Sequence, residues 1–336
     1  MKIILILCTF LALVYAQDLR KTLPSTLSSD WQQFYQSLPD PTKVPPLPKP
    51  NDIQAWKQVY DVLEAPQIKR AAKFAQDMGV KTDNFHIAGV GVMEVLPKNY
   101  HDNHKILIYI HGGAYTFFSA RSSLVSATLA ANYTHLRTIA IDYTNPPKAK
   151  YKKVLHQVTS VIKALVKQGY SLKDIAVYGD SAGGALAAGA VLKLRDEGFG
   201  MPAVVVLWSP WADITQTGDT YITLKDAEPF FIYDTSLKAS ANAYADPKDQ
   251  KNPYISPVYA NYSKGFPPTL IQGGTREIFL SNFVRLYQKM DQEGVIVKLD
   301  LYEGMPHVFQ TKLPHSHETK AALKKMEKFI QKYMPY

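Results

Sequence analysis

The sequence predicts an α/β fold with a mostly parallel central sheet, helices on both faces and an N-terminal helical cap. Three observations carry that prediction. From about residue 85, short apolar runs alternate with helical patterns. The runs are continuous in Val, Ile and Leu, as strands covered on both faces are. One run passes through a glycine-rich turn straight into a helical pattern, at "YGDSAGGALAAG" (178–189). The chain has 336 residues, 46% of them hydrophobic, which is enough for a large core.

Residues 1–16 read as a secretory signal peptide. Lys2 supplies the positive start, Ile3 to Val14 is almost wholly apolar, and Val14-Tyr15-Ala16 fits a cleavage site that leaves Gln17 first. A secreted or periplasmic protein is expected. Residues 17–80 form a cap or lid. Two helices, around Trp31–Ser37 and Asp52–Met78, flank "PDPTKVPPLPKP", whose prolines demand an extended connection. Residues 81–336 form the main domain. "FHIAGVGVMEV" reads as a strand. "KILIYI" (105–110) is a buried strand, with a helix near 121–132. "RTIAIDY" (137–143) precedes a helix over 151–169, and "DIAVYG" (174–179) leads into the glycine-rich turn. Further strands are "AVVVLWSP" (203–210), "PTLIQGG" (268–274) and "VIVKLDLYEG" (295–304). "NFVRLYQKMDQEG" and "TKAALKKMEKFIQKYM" are helical. Residues 211 to about 262 break the rhythm and read as a cap-like insertion above the sheet.

Net charge is +9, and +8 without Lys2. The basic residues are dispersed, with no dense run of the kind that binds nucleic acid. The charge and the aromatic cap fit a peripheral lipid surface. Cys8 is the single cysteine, so the mature chain has no disulfide. Asn132 and Asn261 stand in sequons that accept glycans in a eukaryotic secretory route. Nothing in the sequence fixes an oligomeric state.

The glycine-rich turn has a chemical reading. In Gly179-Asp180-Ser181-Ala182-Gly183, Ser181 lies between a strand and a helix, on a turn that presents its hydroxyl above the sheet edge. Glycines on either side let neighbouring backbone come close. In "YIHGGAY" (109–115), Gly112 and Gly113 expose backbone N–H groups after a strand. With the Ala182 N–H they can form an oxyanion hole, where each donor is worth roughly 10²–10³ in rate. In "YEGMPHVFQ" (302–310), His307 sits on a loop after the last strand, where a base can reach over the sheet. A histidine base needs a carboxylate to orient it. Glu277, after another strand, is the candidate, and Asp213 in "SPWADIT" is the second. His111 reads as a turn-organising side chain. Tyr115, Phe117, Phe118, Phe230 and Phe231 are candidates for lining an acyl pocket. No metal and no organic cofactor is implied.

"HGGAY", "YGDSAGG", "NPYISPVYA" and "YEGMPHVF" together resemble the hormone-sensitive-lipase-like branch of the α/β-hydrolases. The resemblance covers roughly residues 85 to 335. It implies the α/β-hydrolase fold, an N-terminal helical cap, and hydrolysis of small-molecule carboxylic esters. Ser181 would be nucleophile, His307 base, and Gly112, Gly113 and Ala182 oxyanion donors. The order Ser181, Glu277, His307 matches that of the fold. The chain departs from the family at Ala114, where a third glycine is usual. It departs again at Glu277, where aspartate is frequent, and after "IDYTN", where Ala-Pro-Glu is usual. Lactone, amide or acetyl-group hydrolysis and a lipid-surface lipase share the same triad. A non-catalytic receptor would be expected to have lost one of its members.

Overall fold

The computed structural model describes residues 18–336, so the expected signal segment and cleavage site lie outside the described residues. Among these, eight strands make one sheet. They are β1 (Lys81–Ile87), β2 (Val90–Leu96), β3 (Ile106–Ile110), β4 (Arg137–Asp142), β5 (Ile175–Asp180), β6 (Val204–Trp208), β7 (Thr269–Gly274) and β8 (Val297–Tyr302). Their order across the sheet is β1-β2-β4-β3-β5-β6-β7-β8. β2 pairs antiparallel with β1 and β4, and all other pairs are parallel.

The helices are α1 (Ser29–Ser37), α2 (Ile53–Asp77), α3 (Leu124–Thr134), α4 (Tyr151–Lys167), α5 (Ala182–Asp196), α6 (Thr220–Thr223), α7 (Lys238–Tyr244), α8 (Leu280–Gln292) and α9 (His317–Tyr333). The pleat sends successive side chains to opposite faces. Ile106, Ile108 and Ile110 of β3 join the core built on α4, α5 and α8. Leu107 and Tyr109 join the core built on α3 and α9. Both faces of the central strands are therefore buried, which is why these strands read as unbroken apolar runs.

Two local expectations are corrected. "FHIAGVGVMEV" is not one strand but the second half of β1, a turn and β2. Ala88 and Gly89 both take positive φ, +53° and +75°, the geometry of a tight two-residue hairpin turn. The proline-rich stretch is not extended throughout. Asp40 accepts a hydrogen bond from the Thr42 amide at 2.9 Å and starts a single helical turn over Pro41–Lys43.

α1 is anchored beside the last strand. Trp31 and Tyr35 pack with Leu27, Met305, Phe309 and Ala322. The Tyr35 hydroxyl donates to the Gly304 carbonyl at 2.7 Å, on the loop that carries His307. Emptying the Trp31 site removes a fully buried side chain, a loss worth about 3–5 kcal/mol. Trp31→Ala is expected to lower the thermal midpoint by on the order of 10 °C. It should also reduce turnover by loosening the His307 loop. Circular dichroism melts read the first effect and kcat the second.

Candidate active site

Because β3 and β5 to β8 run parallel, their C-terminal ends lie along one edge of the sheet, where open α/β sheets place their sites. Gly112 follows β3, Ser181 follows β5, Ser209 follows β6, Glu277 follows β7 and His307 follows β8.

Ser181 sits at the start of α5 with φ 56° and ψ −124°, a conformation that costs of order 1–3 kcal/mol for a residue other than glycine. The surrounding backbone enforces it. The Ser181 amide donates to the Trp208 carbonyl at 2.8 Å, and the Ser181 carbonyl accepts from Gly184 at 3.0 Å and Trp211 at 2.9 Å. The two flanking glycines allow this packing. A Cβ on Gly179 would collide with the Gly183 carbonyl, and one on Gly183 would collide with the carbonyls of Ile110 and His111. The glycines of "YGDSAGG" are there to hold a strained serine close to the end of β3.

Glu277 and His307, 30 residues apart in sequence, meet in the fold. His307 Nδ1 lies 2.6 Å from Glu277 Oε2, and both side chains are buried. The other carboxylate oxygen, Oε1, accepts from the Gly274 amide at 2.6 Å and the Ser209 hydroxyl at 2.8 Å. A carboxylate so satisfied accepts a proton-bearing Nδ1 from the imidazole and leaves Nε2 as the free ring nitrogen. Phe231 and Phe279 pack edge-on to the His307 ring, with centroids at 5.0 and 5.1 Å. Asp213 is elsewhere. It accepts from Thr215, from Tyr259 at 2.8 Å and from Arg285 at 2.7 Å, and so ties its loop to α8.

The oxyanion candidates adjoin Ser181. A Cβ on Gly112 would stand 3.1 Å from that of Ser181. Among the described residues, the amides of Gly112, Gly113 and Ala182 donate to no protein acceptor. Ala114 takes φ +49°, which accounts for the glycine usual at that position. His111 is buried, stacked on Tyr143 at 4.1 Å, and its Nδ1 contacts the Gly112 carbonyl at 2.8 Å. Burial pushes its imidazole below the usual range.

A cavity of about 350 Å³ opens above these groups. Ser181 and His307 line it together, and Phe117, Phe118, Phe230 and Phe231 supply aromatic wall. Tyr115 does not belong to this wall. Its ring is fully buried and stacked on Tyr244 at 3.6 Å, so it supports the loop from below. α2 forms part of the roof through Leu63, Gln67 and Arg70.

Several residues that the motifs did not single out support the site. Ser209 bridges Glu277 and the Val308 amide, the latter at 3.0 Å, and so ties the acid to the histidine loop. Its position after β6 was a signal only in hindsight of the sheet order. Asp180 holds the Tyr109 hydroxyl at 2.5 Å, and burial raises its carboxyl. Glu228 accepts from the Phe230 amide at 2.9 Å and the Ile278 amide at 3.0 Å, joining the insertion to the residue after Glu277. Burial raises its carboxyl to about 8, with hydrogen bonds from Phe230 and Ile278 opposing the rise. Its folded-state value exceeds the unfolded one, so this group's contribution to stability declines as pH rises from the usual carboxyl range to about 8.

The strand order, with Ser181, Glu277 and His307 following β5, β7 and β8, is that of an α/β hydrolase. A family model described as the alpha/beta hydrolase fold matches residues 107–311. An esterase of Acinetobacter venetianus is 31% identical over 257 residues, which cover 76% of this chain and 84% of that one. The crystal structure of an esterase superposes with a TM-score of 0.86 at 29% identity, over 93% of this chain and 96% of that one. A hormone-sensitive lipase from a metagenome library superposes with a TM-score of 0.76 at 29% identity, over 82% and 91%. The chain belongs to the α/β-hydrolase fold family, in its hormone-sensitive-lipase-like branch of esterases.

Proposed function

We propose that this chain hydrolyses carboxylic esters of short to medium acyl length through an acyl-enzyme on Ser181. The observation that carries the reading is the buried Glu277–His307 pair beside a serine on a strained turn. Ser181 Oγ attacks the acyl carbon while His307 Nε2 accepts its proton. Glu277 holds the ring in that tautomer and stabilises the imidazolium. The Gly112, Gly113 and Ala182 amides receive the oxyanion. His307 returns the proton to the departing alcohol. Water, deprotonated by the same histidine, then cleaves the acyl-enzyme and releases the acid.

A cavity of this size with aromatic walls fits short to medium chains better than long ones. A series of p-nitrophenyl esters from acetate to palmitate tests this. kcat/KM should peak between acetate and octanoate. A peak at palmitate that appears only above the substrate's aggregation concentration would replace this reading with that of a lipid-surface lipase. Lactones and anilides run beside the esters measure the reach of the same triad.

A further inference from the structure

Two cations enter the cavity above Ser181. Arg70 comes from the roof helix α2, and Lys312 from the turn just after His307. Among the described residues, neither forms an ion pair. Arg70 is exposed at the cavity rim, whereas Lys312 is half-buried like Arg137 and Lys105, which are paired with Glu94 at 2.6 Å and Asp174 at 2.7 Å. Lys312 rests its ammonium 4.8 Å from the centre of the Phe230 ring, on the pocket wall.

The carboxylates that face Lys312 are engaged elsewhere. Asp180 holds the Tyr109 hydroxyl, Glu228 holds two backbone amides, and Glu277 holds Ser209, Gly274 and His307. Burial pushes the Lys312 ammonium down to about 8. The positive charge of Arg70 adds to the fall, and Asp180, Glu228 and Glu277 oppose it. A half-buried lysine near an arginine, whose neighbouring acids are all bonded to other groups, is poorly satisfied until an anion arrives.

We propose that Arg70 and Lys312 bind a carboxylate carried by the ester substrate, so that the enzyme prefers anionic esters to neutral ones. The inference rests on ester hydrolysis at Ser181. It specifies which esters. The carboxylate can belong to the acyl half, as in a hemiester of a dicarboxylic acid, or to the alcohol half, as in an ester of a hydroxy acid.

Two matched pairs of substrates separate these sources. Mono-p-nitrophenyl succinate is compared with p-nitrophenyl butyrate, and 4-acetoxybenzoate with its methyl ester. The readout is the ratio of kcat/KM, anionic over neutral, within one enzyme, which cancels any general effect of a substitution. At pH 7 the wild type should show a ratio of about 10 to 100 in one pair, the gain expected for charge-assisted hydrogen bonds. Lys312→Gln with Arg70→Gln should bring that ratio to about 1. Lys312→Arg should retain it. As pH rises through about 8, Lys312 loses its proton and the wild-type ratio should fall, while the Lys312→Arg ratio should hold because arginine stays charged. A wild-type ratio of 1 or less in both pairs, with neutral esters turned over, overturns the inference and leaves ester hydrolysis standing. A ratio that survives the double substitution overturns it as well. A wild type inert on the neutral and the anionic esters removes both readings.

Discussion

Ser181→Ala is expected to abolish ester turnover while leaving the protein folded. The loss in kcat should be on the order of 10⁶, the size seen when the nucleophile of a serine hydrolase is removed. The structure gives a reason to expect little effect on stability. The bonds that hold the turn use the Ser181 amide and carbonyl, reaching Trp208, Gly184 and Trp211. An alanine keeps all three and places its Cβ where that of serine already fits. The residual rate would come from the amides of Gly112, Gly113 and Ala182 acting on bound ester. Steady-state kinetics on p-nitrophenyl butyrate, with a thermal melt beside it, checks both halves. A variant that retains a tenth of wild-type kcat contradicts the assignment of Ser181.

Glu277→Gln is expected to lower kcat by on the order of 10⁴ with KM little changed, by analogy with the acid of serine proteases. Oε1 already accepts from the Gly274 amide and the Ser209 hydroxyl. A glutamine therefore keeps its carbonyl oxygen on that side and turns its NH₂ toward His307 Nδ1. The ring must then present Nδ1 as an acceptor, which puts the proton on Nε2, where it cannot take one from Ser181. Glu277→Asp keeps the charge, is one methylene short, and should retain part of the activity. Asp213→Asn should instead act through stability. Asp213 is fully buried and accepts from Thr215, Tyr259 and Arg285, so weakening that network should cost on the order of 3 kcal/mol. A folded, inactive Asp213→Asn beside an active Glu277→Gln would reverse the two roles.

The sheet was legible wherever strands are buried on both faces. "KILIYI", "DIAVYG" and "AVVVLWSP" have no polar face to confuse the pattern; β3 and β6 lie within them, and β5 runs one residue further, to Asp180. The edge of the sheet was not. β1 begins with Lys81, Thr82, Asp83 and Asn84, all exposed, so no apolar face marks them as a strand. Ser181, Gly112, Gly113 and His307 stand out as candidates in the sequence because strand-to-turn junctions mark them, and the fold places them at the ends of β5, β3 and β8. The choice between Glu277 and Asp213 was not settled by position, since both follow strands. It turns on which carboxylate lies beside His307, and that is a fact of tertiary packing. Tyr115 was misplaced for the same reason. Its neighbours in sequence line the cavity, but its own ring points into the core against Tyr244. Ser209, Glu228, Arg70 and Lys312 gain their meaning from partners tens or hundreds of residues away, which no local pattern displays.

The central claim is that an acyl group passes through Ser181, and covalent trapping tests it most directly. Native protein is treated with a fluorophosphonate, digested, and mapped by mass spectrometry. The account predicts one adduct, on the peptide holding Ser181, formed in step with the loss of esterase activity and absent from Ser181→Ala. Stoichiometric labelling of another residue, or labelling that persists in Ser181→Ala, would contradict it.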